Sequence, residues 1–206
     1  MPRPSLKPDI LYTYNDYLSW NDEFRRELIE GVPFCMSPAP NTQHQRVSGG
    51  LFYLIYAFLN ERNCEVFSAP FDVRLMGKDK NEDECETVVQ PDISVICDPG
   101  KIDEQGCKGA PDWIIEVLSP ATASKDHIKK RELYEKHGVK EYWLADPANR
   151  IVHIYRADEE GKYTAPRIFS AEEKIRSFVL PDLHVDLKSV FREKRKQNKG
   201  KKKCRR

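Results

Sequence analysis

The chain has 206 residues, 39% of them apolar and 10% aromatic, which is enough for one folded domain with its own core and excludes a disordered protein. Its net charge of +1 hides a segregation: Arg192 to Arg206 carries ten Lys/Arg and one Glu, a net of +9, leaving 24 basic and 32 acidic residues in the body, a net of −8. A tail of that kind is expected to be disordered and drawn to polyanions, nucleic acid first. The domain division is therefore residues 1–191 as one domain and 192–206 as a basic tail.

Six cysteines at 35, 64, 85, 97, 107 and 204 include no Cys-x-x-Cys spacing, so a zinc site is not expected. The start, Met1-Pro-Arg-Pro-Ser-Leu-Lys-Pro, lacks the apolar run of a secretory signal, and Leu51 to Leu59 is too short to span a bilayer. The expectation is a cytoplasmic protein with no membrane partner and with its cysteines as reduced thiols.

In chain order, Thr13 caps a short helix running to about Glu23, and Arg26 to Met36 reads as strand broken by a turn at Gly31-Val-Pro33. Asn41 or Thr42 caps a helix over about Gln43 to Arg62, with Val47, Leu51, Leu54, Ile55, Phe58 and Leu59 at helical spacing on its core face. Strands follow over Glu65 to Met76, Val88 to Cys97 and Asp112 to Ser119, the first two joined by a polar loop at Gly77 to Glu86. A helix over Lys125 to His137 ends at Gly138. Strands at Lys140 to Ala145, Arg150 to Arg156 and about Lys162 to Phe169 precede a last segment near Phe178 to Phe191. This order predicts a mixed sheet with helices packed on it, an α/β fold.

Two of those strands carry a carboxylate among apolar residues. Asp92 closes Thr87-Val-Val-Gln-Pro91-Asp92, and Glu116 lies within Trp113-Ile-Ile-Glu116-Val-Leu118. Buried carboxylates on neighbouring strands repel, and a shared divalent cation satisfies both. Strand alternation puts Ile114, Glu116 and Leu118 on one face and Trp113, Ile115 and Val117 on the other. In the helix from Lys125, Leu133 and Tyr134 define the inward face. At 100° per residue Lys130 lies about 10° from its centre, Asp126 about 30°, and Lys129 about 90°. Asp92, Glu116 and Lys130 are thus the candidate catalytic residues, with Mg²⁺ as cofactor and Mn²⁺ as an alternative: the parts for metal-assisted phosphodiester hydrolysis. Glu27, Glu30 and His44 are accessory candidates; the turn at Gly31 leaves open which glutamate faces inward. A lone histidine at a helix start is more often structural. Tyr134 and Trp143 are assigned to the core.

Gln90-Pro-Asp92, Ile115-Glu116-Val-Leu-Ser-Pro120, Asp126-x-x-x-Lys130-x-x-x-Tyr134 and Gly138-Val-x-Glu-Tyr-Trp143-x-x-Asp-Pro147 resemble the Uma-type family of restriction endonuclease-like proteins, within the PD-(D/E)xK nuclease superfamily. Glu27-Leu-Ile-Glu30-Gly31, Met36-Ser-Pro38 and His44 fit the same pattern. The resemblance implies a restriction-endonuclease-like αβββαβ core, a mixed central sheet flanked by helices, with Asp92 and Glu116 as metal ligands and the Val117 carbonyl as a further one. Leu118 stands where the superfamily carries its lysine, which the family moves to Lys130. The activity this points to is a Mg²⁺-dependent DNA endonuclease; the oligomeric state stays open, and cutting both strands would require two sites and so a homodimer. The competing function is a catalytically inactive nuclease-fold protein that binds nucleic acid or assembles with it.

Overall fold

The computed structural model describes residues 10–22, 24–36, 40–77 and 81–192; the expected disorder of the basic tail falls outside them, Arg192 excepted. The elements are α1 (Tyr14–Ser19), β1 (Arg26–Ile29), β2 (Val32–Cys35), α2 (Thr42–Leu59), β3 (Glu65–Ser68), β4 (Val73–Arg74), β5 (Val88–Val89), β6 (Ile93–Ile96), β7 (Ile102–Asp103), β8 (Gly106–Lys108) and β9 (Trp113–Val117). They continue with α3, π-helical over Lys125–Lys130 and α-helical over Arg131–His137, then β10 (Glu141–Asp146), β11 (Ile151–Arg156), β12 (Arg167–Ser170), β13 (Lys174–Arg176), β14 (His184–Asp186) and α4 (Leu187–Val190).

The strands form a six-stranded sheet ordered β12-β11-β10-β9-β6-β3, a second ordered β2-β1-β5-β4-β8-β7, and the small β13-β14 pair. In the first sheet β9 and β10 are parallel and the other neighbours antiparallel. Read along the chain, α2-β3-β6-β9-α3-β10 is the expected αβββαβ core. The alternation in β9 divides its residues as expected. Trp113, Ile115 and Val117 pack with Val47, Leu51 and Ile55 of α2, while Ile114 and Leu118 pack with Leu133 and Tyr134 of α3. The sheet is thus buried on both faces, and Glu116 points to the α3 side.

Two predicted strands are each divided. Glu65 to Met76 becomes β3 and β4, and Val88 to Cys97 becomes β5 and β6; in both, the chain passes from one sheet to the other at a proline, Pro70 or Pro91. Proline has no N–H to continue a ladder, so pairing stops there. The two crossings are adjacent, tied by the Ala69 amide donating to the Asp92 carbonyl at 3.2 Å. Asp92 therefore sits at the seam between the sheets rather than inside a strand.

At the start, Thr13 forms a capping box with Asp16, but α1 ends at Ser19, short of Glu23. The β1–β2 hairpin turns through Glu30 and Gly31, both at positive φ, as a two-residue hairpin requires. A Cβ on Gly31 would meet Leu11 Cβ at 2.7 Å, so this glycine is needed for space as well. Between β6 and β9, residues 98–110 hold the β7–β8 hairpin. The expectation of reduced thiols is corrected at one pair. Glu65 faces Ile96 in the β3–β6 register, which brings the next residues outward, Cys64 and Cys97, opposite each other, and they are disulfide-bonded. Among the described residues Cys35, Cys85 and Cys107 are free thiols, and no helix is long and apolar enough to cross a membrane.

Candidate active site

Asp92 and Glu116 meet because β6 and β9 are antiparallel neighbours: Ile93 faces Ile115, so the residues one step further are also opposite. The Val117 amide donates to Asp92 Oδ2 at 2.8 Å, and the Asp92 amide points at Glu116 Oε2 at 3.3 Å. Each carboxylate is thus oriented by the other strand's backbone. His44, in the first turn of α2, places Nε2 3.2 Å from Asp92 Oδ2. Asn41 caps that turn by accepting from the His44 amide, which fixes the imidazole over the sheet.

From the other face, Lys130 Nζ lies 2.7 Å from Glu116 Oε1 and 2.6 Å from Glu27 Oε1, with Asp126 Oδ1 at 3.9 Å. The Tyr134 hydroxyl donates to the same Glu116 oxygen at 2.8 Å. Glu27 is fully buried; its Oε1 accepts from the Gln90 amide at 3.2 Å, and its Oε2 pairs with Lys125 Nζ at 2.6 Å. The hairpin thereby decides between the two glutamates. Glu30 is corrected: it sits in the turn itself, exposed, and pairs with Lys136 at 2.7 Å outside the site.

Lys125 is the residue that sequence reasoning missed, and the cause is helical geometry. At 100° per residue positions 125 and 130 diverge by about 140°. Over Lys125–Lys130 the helix is π, with i→i+5 hydrogen bonds and more residues per turn, and this wider turn brings both lysines to one side, onto the two oxygens of Glu27. Tyr134 was legible only in part: its ring is core, as expected, while its hydroxyl belongs to the site.

The charges are unequally settled. Burial pushes the Glu116 carboxyl up to about 8; Lys130 opposes the rise, and the charges of Asp126, Asp92 and Glu27 add to it. Burial would also raise Glu27, but Lys130 and Lys125 overcome it and hold the carboxyl at about 2. Lys130 is kept protonated against its burial by Glu116, Glu27 and Asp126. His44 is raised, because hydrogen bonding to Asp92, the charges of Asp92 and Glu116, and the Val117 backbone outweigh burial.

These groups form the floor of a cleft of about 740 Å³. Among the described residues no cluster of three or more His, Cys, Asp or Glu is arranged to hold a metal ion. The donors that face each other are the carboxylates of Asp92 and Glu116, hard oxygens. They suit an ion that keeps several waters, as Mg²⁺ does, better than an all-protein cage.

A family model described as "Putative restriction endonuclease" matches residues 13–188. The chain belongs to this Uma2 family. The Uma2 match contains every site residue described above and stops short of the basic tail. The "Uncharacterized protein slr1290" of Synechocystis sp. is 24% identical over 165 residues, covering 79% of this chain and 80% of that protein. A crystal structure titled as a "putative nuclease belonging to DUF820" from Anabaena variabilis superposes with a TM-score of 0.69 at 24% identity, covering 87% of this chain and 97% of that one. At that identity the likeness speaks for the fold, which is nuclease-like.

Proposed function

We propose that this Uma2 protein is a Mg²⁺-dependent DNA endonuclease that hydrolyses phosphodiester bonds, with Asp92, Glu116 and the Val117 carbonyl holding the cation. The observation that carries the reading is the convergence of Asp92 and Glu116 from adjacent strands with Lys130 Nζ 2.7 Å from Glu116, on the floor of one cleft. A divalent cation bound there supplies Lewis-acid polarisation of the phosphoryl oxygen and acidifies water.

The chain's own groups do the rest. Val117 N–H and His44 aim Asp92. Lys130, cationic at neutral pH, offers protons to the phosphoryl oxygens as charge builds on them. Glu27 keeps Lys130 and Lys125 side by side, so two ammonium groups face an incoming phosphate. Water attacks directly, with inversion at phosphorus and no covalent intermediate. Cutting both strands of a duplex would require two such sites, hence two copies.

One observation favours a second reading, a nuclease fold that binds nucleic acid without turnover: Glu116 Oε1 is already engaged by both Lys130 and Tyr134. Nicking of supercoiled plasmid separates the two. The expected result is strand scission stimulated by Mg²⁺ or Mn²⁺, absent in chelator and lost in both Asp92→Ala and Glu116→Ala. Scission that survives both substitutions refutes the site, and DNA binding without scission in any metal supports the second reading.

The tail is proposed to assist by capturing phosphates. Removing residues 192–206 is expected to weaken DNA affinity and flatten its salt dependence, each lost phosphate contact lowering the log–log slope by about 0.9. Binding measured across a salt series checks this, and an unchanged slope assigns the tail no part in binding.

A further inference from the structure

We propose that the cleft takes single-stranded DNA, with unpaired bases stacked on Phe52 and Tyr56 of α2; the inference rests on the nuclease reading and names its substrate class. Glu27, Glu116 and Lys130 are buried and the Asp92 side chain is only 22% exposed, so a phosphate reaches them by descending into the cleft. Each wall it passes carries one phenylalanine. Phe34 of β2 joins the core on the α3 side, Phe52 joins the core on the α2 side, and both line the cleft.

Helix α2 extends the wall into a track. His44, Ser48, Phe52 and Tyr56 follow at four-residue steps, so Phe52 and Tyr56 lie about 12 and about 18 Å along the axis from His44. The stripe drifts about 40° around the helix at each step, which carries it from the buried His44 to Tyr56 at 61% exposure. Phe52 and Tyr56 are stacked, with centroids 5.9 Å apart and planes 18° apart. Tyr53 is 68% exposed beside them, and a Cβ on Gly49 would meet nothing within 4 Å, so the approach is open.

Cations accompany the rings. Arg25 and Lys125 line the cleft, and Lys129 Nζ stands 4.5 Å over the Phe34 ring. Ammonium and guanidinium groups beside partly exposed aromatic rings match a strand that presents phosphates and base faces together. A duplex keeps its base faces stacked inside and offers these rings nothing to stack on. A second copy of the chain would meet the polar Gln45 and Ser48 beside Phe52, a poor apolar contact.

The experiment uses the full chain carrying Asp92→Asn, so that substrate is not consumed, with fluorescence anisotropy of a labelled oligothymidylate and of a duplex hairpin of equal length. The expected result is roughly tenfold tighter binding of the single strand, weakened roughly tenfold by Tyr56→Ala and by Phe52→Leu, unchanged in Tyr56→Phe, with hairpin affinity indifferent to all three. Tyr56 is exposed, so its substitution leaves the core intact even if Phe52→Leu perturbs packing. Equal or tighter hairpin binding overturns the proposal, as does single-strand affinity untouched by Tyr56→Ala. A dimer in sedimentation that Tyr56→Ala dissociates also overturns it, by giving the surface to a second copy. If the single-strand preference holds while the unmutated chain cuts nothing in Mg²⁺ or Mn²⁺, the nuclease reading falls and this one stands. Duplex cutting without the preference gives the reverse.

Discussion

Lys130→Met is expected to abolish cleavage, by roughly 10³-fold or more, and to cost about 3–5 kcal/mol of stability at neutral pH. Lys130 is the cation shared by Glu116 and Glu27, and the uncharged side chain leaves those two carboxylates buried against each other with Asp126 nearby. The pH dependence has a definite sign. Glu27 is depressed to about 2 in the folded chain, so its stabilisation is complete above its ordinary 4.5 and is lost as pH falls through about 2. Without Lys130 that depression shrinks, and burial drives Glu27 toward protonation. The variant's deficit is therefore greatest at pH 7 and shrinks toward pH 3, where its carboxylates are neutral. Urea unfolding at both pH values, with nicking assayed alongside, measures it. A deficit independent of pH would mean that Lys130 does not compensate these carboxylates.

Glu141→Ala is expected to be as damaging to stability while leaving the chemistry alone. Glu141 is fully buried, and its carboxylate accepts from the Ser177 hydroxyl at 2.8 Å, the Phe178 and Val179 amides at 2.8 and 3.1 Å, and the Trp143 indole at 3.0 Å. One side chain thus ties the turn after β13 to the central sheet. Removing it strands those donors, at a cost of about 3–5 kcal/mol. At about 2–4 °C per kcal/mol for a chain of this size, the melting temperature falls by about 10 °C. Glu141 faces Trp113, three register positions from the Leu144–Glu116 pair, so activity per folded molecule is expected to persist below the transition. Calorimetry together with cleavage at low temperature checks both halves.

Alternation in Trp113 to Val117 foretold which side of the sheet Glu116 faces, and the 3.6-residue period aimed Lys130 at it. Both inferences hold because β9 is regular and because Lys130, the last residue of the π segment, leads directly into the α-helical turn of Leu133 and Tyr134 that defines the inward face. Where the backbone departs from regularity the sequence was silent. A π segment cannot be read from side-chain spacing, so Lys125 stayed hidden until Lys125 and Lys130 were seen on one carboxylate. The breaks at Pro70 and Pro91 had a visible signal, yet nothing in either stretch said that two sheets would meet there. The choice between Glu27 and Glu30 hung on the hairpin's turn residues, which become definite only with its two-residue loop. His44 gave no decisive signal of its own; its place beside Asp92 follows from the Asn41 cap and from how α2 docks.

The claim that Asp92 and Glu116 form a metal-dependent centre is tested most directly by crystals soaked in Mn²⁺ and read by anomalous scattering. A peak between the two carboxylates and within reach of the Val117 carbonyl, absent in Asp92→Ala crystals, is the expected result. An empty site in a protein that still cleaves DNA with Mn²⁺ would contradict it.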